Sequence, residues 1–388
     1  MRILHVSNEI RRELGCATSL RMLGFDVTYM HLGNKNEPLR ERKVYTDVGG
    51  FNVNFIQINT PTLLQSMIRS QNFIPNEITR EKFDVVITTH SIPFYIAYYI
   101  ARTQGIPIIF RLGNVRTNKL IDHIIYGKNY LEIINFYPSI LHTLIQIWKS
   151  RVLVAMDDAT MSFLRKLPLF KKLHLIYPTY AALYSNNDYE KSYEIKELIE
   201  KKPYIFSIIT MRRKGPSFRL QELNQFKILY FIARKCPEVN IVIAGGNSSE
   251  ARRKFGLSQI PKNLIFVGWI SSDNVLKILY DYASLVVFPI FFRSISNRLI
   301  EALYYGKPIL TNSYAKLLYN KLEHLHHVFI SDNYTEYPSI VRRLLKNEAL
   351  LEELTSGAKK AYNSFFSSRK CRLAMKRVIE SVILNSSL

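Results

Sequence analysis

Glu301 stands four residues after a Ser296-Asn297 pair and five before Gly306. Ser296 or Asn297 can cap a helix that Gly306 ends, and the first backbone N–H groups of such a helix point outward, where an anionic ligand can sit. Glu301 then lies one turn inside, and a carboxylate there can accept two hydrogen bonds from vicinal hydroxyls such as those of a ribose. A solvated helical glutamate is the competing reading. Further upstream, Arg212-Arg213-Lys214-Gly215-Pro216 makes a basic loop. Three more polar groups follow apolar runs in the first half of the chain: Ser7-Asn8-Glu9, His90, and Arg111 with Asn114. At the carboxyl ends of parallel strands His90, Arg111 and Asn114 would face one crevice, although a histidine or asparagine in a loop often has a structural role.

Strands and helices must place these groups, and their signals alternate from the start. Ile3 to Val6 reads as a strand, residues 9 to 23 as a helix ended by Gly24, and Asp26 to His31 as a second strand, a βαβ opening. Strands are also expected at Phe51 to Ile58, Asp84 to Thr88, Pro107 to Phe110, Val152 to Met156 and Leu173 to Tyr177, with helices at Pro93 to Thr103 and Leu131 to Trp148. Residues 179 to 202 lose the aliphatic runs and read as a linker. The alternation then resumes with strands at Tyr204 to Ile209, Asn240 to Ala244, Leu264 to Val267, Leu285 to Phe288 and Pro308 to Leu310, and helices at 219 to 235, Ser272 to Tyr282 and Asn297 to Tyr305. The rest reads as helical to the end. The pattern is that of an α/β protein with two doubly wound domains, 1–178 and 203–365, followed by a helix at 366–388. No GxGxxG motif follows the first strand, which argues against a dinucleotide site of the usual kind.

With 388 residues and 47% hydrophobic content the chain can fill two cores. Its 53 Lys and Arg against 31 Asp and Glu leave a net charge of +22, which attracts polyanions: nucleic acid, anionic lipid headgroups or phosphorylated small molecules. The basic residues form no zinc finger, RNA-binding signature or basic tail, so nucleic acid is not the expected partner. Apolar residues interleaved with charge at 144–155 and 163–175 fit a membrane-surface face as well as they fit core helices. No run reaches the roughly 20 apolar residues that span a bilayer. Cys16, Cys236 and Cys371 are far apart and lack metal spacing, and are expected to be reduced thiols in a cytoplasmic protein, with a peripheral membrane contact as a further expectation.

Read together, several blocks resemble glycosyltransferase family 4, the group 1 glycosyl transferases of the GT-B fold with two Rossmann-like domains. They are Gly24-Phe-Asp-Val, His174-Leu-Ile-Tyr-Pro, Lys214-Gly215, the run from Pro237 to Gly246, Ile265-Phe-Val-Gly, Ala283 to Pro289, and Glu301-Ala-Leu-Tyr-Tyr-Gly-Lys-Pro-Ile, in family order across nearly the whole chain. The resemblance implies a nucleotide-sugar, UDP- or GDP-linked, bound in a cleft between the domains and held mainly by the second. It implies no cofactor and no metal, and indeed no Asp-x-Asp motif occurs. Lys214 would neutralise the diphosphate, Gly245 and Gly246 would let the backbone approach the nucleotide, Trp269 and Ile270 would flank the base, and Glu301 would bind the ribose. The implied reaction is a metal-independent hexosyl transfer with retention of configuration to a glycan, lipid-linked or protein acceptor on the first domain.

The departures fall at the site itself. Arg293 stands where the family has a glutamate eight residues before Glu301, and can clamp an anionic sugar or a phosphate. Ile209 stands where the family has an arginine, a role Arg212 or Arg213 can take from another angle. Ser7-Asn8-Glu9 replaces a glycine-rich turn, and Arg111, Gly113 and Asn114 follow the strand at 107–110 without the family's histidine. A GT-B protein that binds without transferring, and a basic nucleic-acid-binding protein, are the alternatives.

Overall fold

Side-chain alternation along the first strand already divides its surroundings in two. Leu4 and Val6 enter one apolar core and Ile3 the other, as a strand buried on both faces requires. The computed structural model describes residues 1–33, 37–46, 49–89, 92–113, 141–168, 172–182, 203–211, 218–270, 272–291 and 296–384, without the side chains of 10–12, 37–43 and 218–220. Within these the chain forms two units, one of residues up to 182 together with 366–384, the other of residues 203–365.

The first unit carries strands β1 (Arg2–Ser7), β2 (Asp26–Gly33), β3 (Glu37–Thr46), β4 (Gly49–Asn59), β5 (Val85–Thr89), β6 (Ile108–Leu112), β7 (Val152–Ala155) and β8 (Lys172–Leu175). They form one sheet in the order β3-β4-β2-β1-β5-β6-β7-β8. All neighbours are parallel except β3 and β4. Strand β3 escaped the sequence reading because Arg-Glu-Arg-Lys carries no apolar alternation; charge is what an edge strand tolerates, and it discourages pairing with other chains. Helix Ile92–Gln104 covers one face through Phe94, Ile96, Ala97 and Ile100. Helix Ile10–Arg21 covers the other with Leu14, Ala17 and Leu20, joined there by Cys371, Met375, Val378, Ile379 and Val382 of the terminal helix Ser368–Leu384.

The second unit is a six-stranded, all-parallel sheet of β9 (Tyr204–Ile208), β10 (Asn240–Ala244), β11 (Leu264–Phe266), β12 (Ala283–Val287), β13 (Ile309–Thr311) and β14 (Phe329–Ile330), in the order β11-β10-β9-β12-β13-β14. β14, only two residues long, lies where continuous helix was expected. The helix expected at 219–235 is regular only over Asn224–Lys235 and opens with a wide turn at Phe218–Leu223. Helix Asn297–Tyr304 ends at Gly306, whose φ of 62° is the left-handed conformation that glycine adopts without strain. Of the helix expected at Leu131 to Trp148, only 141–149 falls among the described residues, and it is helical there.

Met375 is fully buried in the first unit's core, whereas Leu373 of the same helix is exposed. Met375→Ala is expected to lower unfolding stability by about 2–5 kcal/mol and Leu373→Ala by less than about 0.5 kcal/mol, to be measured by urea titration with hydrogen exchange resolving the two units.

Candidate functional site

A parallel sheet gathers the carboxyl ends of its strands on one edge, and a ligand crevice opens where successive connections leave in opposite directions. In the first sheet that point lies between β1 and β5, and in the second between β9 and β12, because β9 is flanked by β10 on one side and β12 on the other.

At the first of these points Ser7 is buried, its Oγ 3.2 Å from Thr89 Oγ1 and accepting from the Glu9 N–H at 3.0 Å, while Asn8 is exposed. The Ser-Asn-Glu turn therefore closes on itself through hydroxyls. Arg111 does not join it. In β6, Ile108, Phe110 and Leu112 face one core, so the alternation sends Ile109 and Arg111 to the opposite face, and Arg111 is fully buried. Its Nε lies 3.2 Å from Glu13 Oε2, an ion pair without an aligned hydrogen bond. Nη1 donates to Cys16 Sγ, and Nη2 lies 3.3 Å from Met156 Sδ. His5 Nε2 approaches the same Glu13 oxygen at 3.1 Å. The expectation that Arg111 faces the crevice is thus corrected; its proximity to a strand end in sequence is overruled by strand parity. His90 and Asn114 lie outside the described residues.

At the second point Arg212, Arg213, Lys214 and Arg293 also lie outside the described residues, and the others can be placed. Ser296 caps helix Asn297–Tyr304, its hydroxyl accepting from the Leu299 N–H at 3.2 Å, and Asn297 beside it is half-buried. Glu301 is 3% exposed and accepts from Tyr280 Oη at 3.0 Å, which rules out the solvated-glutamate reading. Gly245 has φ 103°, and a Cβ there would stand 2.3 Å from the Ile209 carbonyl oxygen; a Cβ on Gly246 would collide with Met211. The chain's own Ile209–Met211 segment thus accounts for both glycines. Trp269 is 47% exposed and Ile270 half-buried on the loop after β11.

The tertiary structure brings in residues that the sequence reading passed over. Arg298, in the first turn of helix Asn297–Tyr304, forks onto Glu222, with Nη2 to Oε1 at 3.2 Å and Nη1 to Oε2 at 3.3 Å. Nη1 also donates to the Ile208 carbonyl at 2.7 Å and Nη2 to Thr210 Oγ1, while the Thr210 N–H donates to Glu222 Oε2 at 3.1 Å. One guanidinium so joins the end of β9, the wide turn and the helix after β12. Two side-chain amides hold the segment after β12 in a similar way. Gln221 accepts from the Phe291 N–H at 3.0 Å and donates to the Pro289 carbonyl at 2.8 Å; Asn312 accepts from the Ile290 N–H at 3.1 Å and donates to the Ile290 carbonyl at 2.7 Å. A signal for Arg298 did exist: a cation in a helix's first turn opposes the helix dipole, and such a local conflict calls for a nearby anion.

The family model "Glycosyl transferases group 1" matches residues 202–347, which fall in the second unit. Over those residues the chain is similar to the group 1 glycosyl transferases. Among curated proteins none matches the chain. Among solved structures, sucrose-phosphate synthase from Thermosynechococcus elongatus superposes with a TM-score of 0.70 at 12% identity, covering 99% of this chain and 100% of that one. Anabaena HepE in complex with UDP-glucose gives 0.64 at 12% identity, covering 98% and 100%. The alpha,alpha-trehalose 6-phosphate synthase of Burkholderia multivorans gives 0.60 at 11% identity, covering 100% and 98%. At these identities the likeness establishes the fold, the GT-B fold, for the whole chain. Within the matched region the capped helix that carries Glu301 sits beside the β9–β12 switch point.

Two outcomes follow. Arg298→Met removes the forked guanidinium from the fully buried Glu222 and is expected to cost about 3–5 kcal/mol, whereas the Glu222→Leu/Arg298→Met double variant recovers most of that loss; thermal unfolding of the set measures the coupling. In the first unit, burial is the largest influence on His5 and holds its pKa below the ordinary 6.5, against the opposing pull of Glu13. The unfolded chain therefore takes up the proton first, so stability is full above about pH 6.5 and falls as pH drops below it. The urea midpoint between pH 7.5 and 5.5 should fall in the wild type and fall less in His5→Asn.

Proposed function

We propose that this protein transfers a hexosyl group from a nucleotide diphosphate-sugar, UDP- or GDP-linked, to a glycan, lipid-linked or protein acceptor, with the donor on the second unit and the acceptor on the first. The observation that carries the reading is the group 1 glycosyl transferase match over residues 202–347, in a domain whose Ser296-capped helix begins beside the switch point. Such a helix end offers N–H groups and the positive end of the helix dipole to a diphosphate. Lys214 would add charge to the same anion, Glu301 would bind the ribose, and Trp269 with Ile270 would flank the base. Arg293 would engage an anionic sugar or a phosphate, and Arg212 or Arg213 would supply the guanidinium that Ile209 lacks. On the first unit Ser7, Asn8 and His90 would meet the transferred sugar or the acceptor.

In this mechanism the bond from the sugar's anomeric carbon to the diphosphate oxygen breaks while the acceptor oxygen bonds to that carbon on the same face. The acceptor's proton passes to the leaving phosphate, so no protein nucleophile is needed. Stabilising the departing diphosphate is then the main work of the protein, and without a metal it falls to Lys214 and the helix tip. A GT-B protein that binds without transferring is the second reading, favoured by Arg293 in place of the family's glutamate.

The test is turnover of radiolabelled UDP- and GDP-sugars without acceptor, beside calorimetric binding of UDP and GDP. The enzyme reading expects slow donor hydrolysis, reduced about 100-fold or more by Lys214→Ala and Glu301→Ala. Nucleotide binding without hydrolysis selects the binding protein. No nucleotide binding, with a gel shift of arbitrary duplexes that weakens steeply with salt, selects nucleic acid instead.

A further inference from the structure

Two short helical elements of the first unit carry large apolar side chains on their outer sides as well as on the core. Residues 141–149 bury Thr143, Gln146 and Ile147 and leave Leu141, Leu144 and Trp148 outward, at the i, i+3, i+7 spacing of one helical stripe. Helix Leu63–Ile68 buries Ser66 and exposes Leu64, Met67 and Ile68. Exposure reaches 65% at Leu64, 70% at Ile68 and 76% at Trp148. A soluble surface scatters large apolar residues singly, whereas six on two elements that flank one helix mark an interaction site.

Both elements flank helix Ile92–Gln104 at its tyrosines. His142 Nδ1 is hydrogen-bonded to Tyr95 Oη at 2.9 Å, and Lys149 Nζ lies 4.7 Å from the Tyr98 ring centroid. From the other side the Tyr99 hydroxyl meets Gln71 at 3.3 Å, just past the short helix, which itself packs on Ile92–Gln104. Exposed Arg69, Arg102, Lys149 and Arg151 lie on or next to these elements, in a chain of net charge +22. The 163–175 stretch, which fits a membrane face equally well on sequence, packs Leu164, Leu173 and Leu175 into the core instead.

We propose that this face docks the protein on an anionic lipid surface, with Leu64, Met67, Ile68, Leu141, Leu144 and Trp148 entering the interface and the neighbouring cations meeting headgroup phosphates. Apolar side chains backed by Lys and Arg, with a tryptophan at the boundary, are the chemistry of an interfacial helix. Among the described residues no helix is long and apolar enough to cross a membrane, so the contact is lateral. A second copy of the chain would have to bring its own cations against these. The inference stands independently of the donor reading.

The test is co-sedimentation of the whole chain with vesicles of phosphatidylcholine alone or mixed with phosphatidylglycerol. Binding is expected only with the anionic mixture, to weaken but persist in high salt, and to fall about tenfold in each of Ile68→Ser and Trp148→Ser. Leu317→Ser, an exposed site on the second unit, should bind as the wild type does. All three variants should keep the wild-type melting temperature, because these side chains already face water. In a Trp269→Phe background the remaining Trp148 emission should shift to the blue on the anionic vesicles. No binding to anionic vesicles, equal binding by Ile68→Ser and Trp148→Ser, or self-association of the wild type abolished by those changes in place of vesicle binding overturns the proposal.

Discussion

The constraint behind the candidate site is that all six strands of the second sheet run parallel, so every connection leaving a carboxyl end emerges on one edge. At that edge the backbone groups of β9 and β12 run out of sheet partners, and side chains must take over. Arg298 and Glu222 do so for the end of β9, and Gln221 and Asn312 for the segment after β12. The result is a pre-ordered rim around the helix that carries Ser296 and Glu301. In the proposed transfer, pre-ordering matters because donors already in place need no rearrangement as charge develops on the leaving diphosphate.

The first unit meets a related problem with buried charge. Glu13, Arg111 and His5 share one pocket beneath the Ser7–Thr89 switch point. Glu13 lies within 3.2 Å of both Arg111 Nε and His5 Nε2 and so ties helix Ile10–Arg21 to β1 and β6. The terminal helix then closes over the same core through Cys371 and Met375, so the last residues of the chain complete the unit that the first residues begin. On the outer side of this unit Leu64, Ile68 and Trp148 are exposed.

Much of the architecture was legible because apolar alternation and glycine or proline punctuation are local. β10 was bounded correctly, and most other strands to within one or two residues. What escaped was also local in cause. β3, the terminal strand of its sheet, is charged and carries no apolar alternation, β14 is too short to make a pattern, and the wide turn at Phe218–Leu223 has no signature distinct from an ordinary helix start. At the site, the Ser296 cap was readable because cap and helix are contiguous. Arg111 was misplaced because its facing depends on register within β6. Gly245 and Gly246 were read for a ligand, while the structure shows the Ile209–Met211 segment of the chain itself against them.

By itself the amino-acid sequence determined two α/β units with parallel sheets, a helix start suited to an anion near Glu301, a strong positive charge, and the order of motifs that resembles group 1 glycosyl transferases. Only the tertiary structure decided that Arg298 pairs with Glu222, 76 residues away in the chain, that Arg111 is core, that Glu301 is sheltered by Tyr280, and that Leu64 and Trp148 are exposed. The division has a physical reason: periodicity and capping act over a few residues, whereas pairing of buried charge and exposure of an apolar face depend on which distant segments the sheet order brings together.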